Sequence, residues 1–442
     1  MRLSLRTLAQ RAAGVRAPAY DPAALRTGIV HLGVGAFQRA HQGIYTDDAI
    51  EAQAGDWGIA GVSMRKPDVA DRLQSQDGLY TVEIAGPEPA YRVVGALRQA
   101  LTLTTQPGRV LEAIAASSTR VVTLTVTEKG YCLSGAHLDL VHPEIVHDWA
   151  APDAPQSAIG ALALGLSRRA RGAAQPITVI SCDNLVDNGE RLRNAVCEFA
   201  DRLPGGSAGW IAANAAFPNT MVDSIVPATD EASQRRVCSA LGLEDRASVQ
   251  REAFSQWVIE DRFAGPIPAW SKVGVQIVTS VLPFRRLKLH VLNATHSAIA
   301  YGGLRRGYEF VRQAIADPDL RSFLNALVKE EIAPGLPGLP VKAYWAETLP
   351  RFENPMLDHR LDQIAADGVY KLAQRIYPLM ISNLQAQLPI RRLGTVVRQF
   401  LEFKGCRNRA DCERWLDDPA VFPAEFRTEP RLRAAVLAAP AS

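Results

Sequence analysis

The 442-residue chain carries a formal net charge of +3, with 47% hydrophobic and 21% charged residues. That near-neutral balance gives no electrostatic reason to expect a nucleic acid or an anionic membrane as partner. The length exceeds one ordinary core and predicts two domains, and no run approaches the roughly 20 apolar residues of a membrane span. The first folding signal is the strand-like GIVHL beginning at Gly28, which ends in glycines and leads into a helical stretch from Ala36 to about Gln53. Trp57 to Met64 reads as a second strand, the β-branched run Val121 to Thr127 as a buried third, and Pro176 to Cys182 as another. Helical patterns lie at 108–117 and 158–170. This strand–helix alternation predicts an α/β domain with a parallel sheet and helices on both faces.

After about Pro283 the texture changes. Apolar residues recur at helical spacing in 288–305, 307–316, 319–332 and 358–376, and β-rich runs are nearly absent. The expected division is an α/β domain over 1–283 and a mostly α-helical domain over 284–442. Pro334 to Pro340 reads as a loop, and the Pro- and Ala-rich tail from Pro419 as loosely packed. The cysteines (Cys132, Cys182, Cys197, Cys238, Cys406 and Cys412) include no C-x-x-C pair and read as reduced packing thiols. No H-E-x-x-H and no Cys/His cluster of zinc spacing is present, so no metal is expected. Arg2 and Arg6 precede no apolar core of signal-peptide length, and a cytoplasmic location is expected.

The segment Gly33-Val34-Gly35-Ala36-Phe37-Gln38 follows a strand and opens a helix. Gly33 permits a tight turn, Gly35 lets backbone approach a pyrophosphate, and the helix start offers unpaired N–H groups. A dinucleotide site is one reading; a turn that merely needs small residues is the other, since Gln38 stands where the usual third glycine would be. Beyond the second strand, Asp68 suits the ribose hydroxyls of NAD, whereas Arg65 and Lys66 suit the 2′-phosphate of NADP. NAD is preferred, with NADP left open.

The segment KLHVLNATH over 288–296 lies in a helical pattern. At 100° per residue, Lys288, Asn293 and His296 fall within one arc of about 140°. Polar groups on an otherwise apolar helix need a reason, because burying them unpaired is costly. Reduction of a ketone by hydride needs a proton donor and stabilisation of charge on oxygen. A lysine in a low-dielectric pocket supplies the first and asparagine N–H groups the second. Alternatively, the same helix carries a solvent-facing lysine and a hydrogen-bonded core histidine.

Taken together, IVHLGVGAFQRAHQ (29–42), LTVTEKGYC (124–132), SCDN (181–184), FPNTMVDSIVP (217–227), QWVIEDRF (256–263) and KLHVLNATHSAIAY (288–301) resemble the long-chain mannitol dehydrogenase family. That family includes mannitol 2-dehydrogenase, fructuronate reductase (D-mannonate oxidoreductase) and D-arabinitol dehydrogenase. The resemblance implies a Rossmann-like dinucleotide-binding domain, a helical substrate domain and metal-independent oxidation of sugar-derived alcohols. It implies Lys288 as the acid–base group, Asn184 and Asn293 as oxyanion donors, and His296 as a substrate holder. Asp223 would stand near the nicotinamide and Glu128 on a proton path. The sequence departs from the family where Gln38 replaces a histidine, a change whose effect on binding is left open because a side chain at a helix start can simply be solvated.

Lys129 in TEKGYC resembles the fructuronate reductase branch, and a lysine there suits a substrate carboxylate. Gln363 stands where mannitol enzymes tend to carry a hydroxyl-binding arginine, and Lys371 matches a second substrate-side lysine. The resemblance therefore favours D-fructuronate/D-mannonate over D-fructose/D-mannitol or an arabinitol. The expected partner is a small sugar acid or polyol, and oligomeric state is left open. A non-catalytic dinucleotide sensor is the reading of another class, but it would need only the glycine turn.

Overall fold

The computed structural model describes residues 1–86, 88–172, 175–355 and 358–438. They divide into two compact units, Met1–Val281 and Leu282–Ser442. In the first unit, β1 (Thr27–Leu32), β2 (Gly58–Ser63), β3 (Leu97–Thr102), β4 (Val121–Leu124), β5 (Ile177–Ser181) and β6 (Ala215–Ala216) form one parallel sheet. Its order is β6-β5-β4-β1-β2-β3, the doubly wound order of dinucleotide-binding domains. Side chains alternate between its faces. Val30, Leu32, Val62 and Val122 enter one core with the helices Pro107–Ala115, Ala158–Arg171 and Asn188–Asp201. Ile29, Ile59 and Val121 enter another with the helices over 36–52 and 68–74. The expected α/β unit with helices on both faces is therefore present.

Several local expectations are corrected. The helix after the glycine turn is broken: Ala36–Ala40 and Gln42–Ala52 are separated by His41, at φ −124°, ψ −85°. The β4 run stops at Leu124 rather than continuing to Thr127. Two small mixed sheets were not anticipated. Tyr80–Ala85 lies between Ala90–Val94 and Val249–Glu252, and Gln256–Glu260 lies between Thr220–Asp223 and Gln276–Val278. Gln38 is buried, not solvated, and its Oε1 has no partner among the described residues.

The second unit is helical, as its periodicity predicts. Pro334 lies within a helical turn, Ala333–Gly335, so the expected loop over 334–340 is shorter. The 358–376 pattern resolves into Leu361–Ala365 and Gly368–Arg375, interrupted at Asp367, whose φ is +56°. The tail is not loose. Phe422 is buried ahead of helices Ala424–Thr428 and Pro430–Leu437, which bury Phe426, Leu432 and Val436; residues 439–442 of that tail lie outside the described residues. Cys406 and Cys412 are joined by a disulfide with Cα atoms 5.7 Å apart, correcting their reading as reduced thiols. Six residues apart, they meet because the chain turns back before helix Arg409–Leu416. Cys132, Cys182, Cys197 and Cys238 are free. No described helix is long and apolar enough to cross a membrane.

Candidate active site

In the first unit the predicted residues gather where the parallel strands end. In a doubly wound sheet this carboxyl edge, beside the point where strand order reverses between β1 and β4, is where ligands bind. Gly33 follows β1 at φ +97°, and a Cβ there would stand 2.1 Å from the Thr125 carbonyl oxygen. Only glycine fits. Gly35 has a different reason. A Cβ there would meet no protein atom nearer than the Gly33 oxygen at 3.7 Å, so its missing side chain leaves open space above the turn. A pyrophosphate fits that space. Val34 is buried with its N–H on the Val62 carbonyl at 3.0 Å, Ala36 starts the short helix, and Phe37 stacks on His41 at 5.0 Å.

A residue that sequence reasoning passed over holds this turn from beneath. His31 is wholly buried; its Nδ1 meets Thr123 Oγ1 at 2.7 Å and its Nε2 meets the Gly33 carbonyl at 3.1 Å. Thr125 Oγ1 donates to the same carbonyl at 2.8 Å. Burial lowers the imidazole pKa to about 3, so the ring is neutral at ordinary pH. A carbonyl only accepts, which assigns the ring proton to Nε2.

The loop after β4 is held as firmly. Asp183 accepts from the Val126 and Thr127 N–H groups, each at 3.0 Å, and from Tyr131 Oη at 2.8 Å. Thr127 sits at φ +64°, ψ +162°, a region that glycine alone occupies without strain. Glu128 and Lys129 follow it in the turn Glu128–Tyr131, Glu128 half-buried and Lys129 exposed. Asn184 is exposed just beyond Asp183, and Asp223 is buried at the end of strand Thr220–Asp223. Asp68 is exposed at the first residue of helix Asp68–Gln74. Arg65, the alternative 2′-phosphate ligand, pairs with Glu144 at 2.6 Å.

Cys132, His142 and Glu144 bring three ligand atoms within 4.8 Å of one another, a group invisible in the spacing. Its charge is already balanced. Arg65 holds Glu144, and burial pushes the Cys132 thiol up to about 12.

In the second unit, Lys288–Asn293 is a π-helix that runs into the α-helix Ala294–Arg305. This corrects the angular argument made for a regular α-helix. In a π-helix residues i and i+5 are one hydrogen-bonded turn apart, so Lys288 and Asn293 are brought more nearly onto one face. Lys288 is only 9% exposed, which excludes the solvent-facing lysine. His296, one α-turn beyond Asn293, stacks on Phe352 at 4.9 Å and meets His359 edge-on at 4.8 Å. Its buried Nε2 has no partner among the described residues. Burial holds its pKa well below the ordinary histidine value and lowers that of His359 to about 4, so both rings are neutral near pH 7.

Arg375 donates to the Asn293 carbonyl at 3.3 Å and to Ser297 Oγ at 3.1 Å, and the His290 ring donates to the Arg375 carbonyl at 3.0 Å. Lys371 Nζ donates to the carbonyls of Ile364 at 3.0 Å and Gln363 at 3.3 Å. The Gln363 side chain is exposed. Lys288, Asn293 and His296 thus follow one another along one helical run, and Lys371 is held on the backbone of Gln363 and Ile364. His359 and Arg375 were missed because nothing local marks residues that reach a helix more than 60 positions earlier.

Known proteins carry the same architecture. A family model described as the mannitol dehydrogenase Rossmann domain matches residues 27–272, and one described as the mannitol dehydrogenase C-terminal domain matches 280–425. The chain is 40% identical over 381 residues to the D-mannonate oxidoreductase of Escherichia coli, covering 84% of this chain and 78% of that one. It is also 40% identical over 381 residues to a mannitol 2-dehydrogenase of Cereibacter sphaeroides, covering 84% and 80%. The solved ternary complex of Pseudomonas fluorescens mannitol 2-dehydrogenase with NAD and D-mannitol superposes with a TM-score of 0.89 at 32% identity, covering 99% of this chain and 96% of that one. The chain therefore belongs to the mannitol dehydrogenase family of oxidoreductases.

Proposed function

We propose that the chain is an NAD-dependent dehydrogenase that interconverts a sugar ketone and its secondary alcohol, with D-fructuronate/D-mannonate as the preferred pair. The observation that carries this reading is the buried Lys288 and His296 with the half-buried Asn293 on one helical run, in a chain 40% identical to a D-mannonate oxidoreductase. NAD is favoured because the related structure holds it, because Asp68 is available, and because Arg65 is paired with Glu144.

Held at the turn of Gly33, Val34 and Gly35 and the helix start at Ala36, NAD would supply the hydride acceptor for oxidation and, reduced, the hydride donor for reduction. In oxidation, Lys288 Nζ takes the hydroxyl proton; in reduction it gives the proton back to the forming alcohol. Asn184 and Asn293 donate amide N–H groups to the oxygen on which charge develops. His296 Nε2, neutral and otherwise without a partner, bonds a substrate hydroxyl. Glu128 passes the lysine's proton toward solvent, and Asp223 orders the nicotinamide end. Oxidation is then favoured at higher pH and reduction at lower pH. For the acid sugar, the exposed Lys129 is the carboxylate partner, and Gln363 and Lys371 complete the substrate side.

D-Mannitol/D-fructose is the second reading, supported by the mannitol 2-dehydrogenase relatives; D-arabinitol is a third. Absorbance at 340 nm with NAD(H) or NADP(H) across the acid and polyol pairs decides. Turnover of D-mannonate, weakened most by Lys129→Met, supports the first reading. Turnover of D-mannitol with none of D-mannonate rejects it.

A further inference from the structure

Arg39 lies in the short helix after the glycine turn and is 7% exposed. Its Nε donates to the Gly35 carbonyl at 3.1 Å and its Nη1 to the Ala247 carbonyl. Two carbonyls satisfy hydrogen bonds but do not neutralise a charge, and no described carboxylate forms an ion pair with it. Asp245 is the nearby acid, yet its oxygens are taken by Gln76 Nε2 and by the Thr81 and Ala247 N–H groups at 2.6–2.9 Å. A buried guanidinium without a counter-charge is costly.

Arg39 lines a pocket of roughly 410 Å³, counting the space open to solvent at its mouth. Arg72 and Arg246 line it too, with Thr229, Gln234 and Ser248, and no acidic residue does. Arg246 is paired with Glu244 at 2.7 Å, but Arg72 forms no ion pair among the described residues and reinforces the positive potential at Arg39. Ser248 is 5% exposed, and its Oγ is buried without a partner. Three arginines and a serine with an unpaired hydroxyl, lining a pocket that lacks acids, suit a tetrahedral oxyanion.

We infer that this pocket binds a phosphate group, which supplies the counter-charge that Arg39 lacks. The pocket joins Arg39, which holds the Gly35 carbonyl, to the helix that begins at Asp68. Its occupant therefore tightens both segments assigned to the cofactor. The phosphate comes either as the free anion or as the 2′-phosphate of NADP.

The inference needs no turnover, so its failure is separable from that of the proposed dehydrogenase reaction. The experiment is thermal unfolding and isothermal titration of the intact chain with inorganic phosphate, at an ionic strength held constant with chloride. Phosphate is expected to raise the unfolding midpoint saturably. Arg72→Gln and, separately, Arg246→Gln are each expected to weaken its binding about tenfold. Phosphate binding that persists in NAD-saturated protein but is lost with NADP identifies the 2′-phosphate as occupant. Binding that persists with both identifies the free anion. An unmoved midpoint with no binding heat overturns the inference, as does unchanged phosphate affinity in both variants.

Discussion

Replacing Lys288 by alanine removes a buried amine from the second unit and leaves the glycine turn of the first untouched. Turnover should fall about 10²- to 10⁴-fold, while cofactor binding, followed by titration calorimetry, persists. Retained turnover would remove Lys288 from the chemistry. His31 is the residue whose titration matters to stability. Its folded pKa of about 3 lies below its unfolded value, so the unfolded chain binds the proton first as pH falls. Its contribution is complete above about pH 6.5 and is lost progressively toward pH 3, amounting to several kcal/mol. His359 acts in the same sense, whereas burial raises the pKa values of Asp47, Asp183 and Asp245, which act oppositely. The parent must therefore be compared with His31→Gln. Urea midpoints between pH 7 and pH 4 should fall less steeply in the variant, and parallel slopes would reject the assignment. Lys288, Asn293 and His296 were legible as polar residues on an apolar helical pattern. His31 was not, because a histidine inside an apolar strand declares its threonine partners only once β1 and β4 pair.

At the scale of elements, the loop after β4 shows how strain is held in place. Asp183 fixes two successive N–H groups, and at the second of them, Thr127, the chain accepts a threonine in a backbone region suited to glycine. Strain of about 1–3 kcal/mol at Thr127 exceeds the roughly 0.5–1 kcal/mol that added glycine flexibility costs. Thr127→Gly should therefore raise the stability of the chain by about 1 kcal/mol in urea titrations, and a clear loss of stability would contradict the strain. Turnover should nevertheless decline, because Glu128 and Lys129 depend on that loop for their placement. The sequence pattern carried β1, β2, β4 and β5 to within three residues at each end, since buried parallel strands are continuous apolar runs. It did not carry the break at His41 or the π-turns at Lys288–Asn293 and Val328–Ile332. Those depend on tertiary packing, and the residues over 288–293 retain the spacing of an ordinary helix.

For the whole molecule, two units with separate apolar cores follow from the change of periodicity near Pro283, and the cores are distinct clusters. The tail was misjudged for a physical reason. Its composition is loop-like, but a few large residues decide its fate. Tyr377 stacks on Phe422 at 5.1 Å and meets Phe426 at 4.8 Å, and both phenylalanines are buried. Helix Pro430–Leu437 lies so close to helix Arg391–Phe403 that a Cβ on Gly394 would stand 2.4 Å from the Ala435 carbonyl oxygen. The tail thus closes the second core. Phe426→Ala should cost about 3–5 kcal/mol, a large share of the roughly 5–15 kcal/mol that holds a domain together. Gly394→Val should destabilise by at least about 1–3 kcal/mol by forcing the two helices apart. Removing the chain beyond Lys404 deletes eight buried apolar side chains of the described residues at once, Phe422, Phe426, Leu432 and Val436 among them, and should leave the second unit unfolded. Urea unfolding followed by circular dichroism, which reports the helical unit most strongly, checks all three. Full helical signal in the truncated chain, or a Phe426→Ala midpoint matching the parent, would return the tail to the surface.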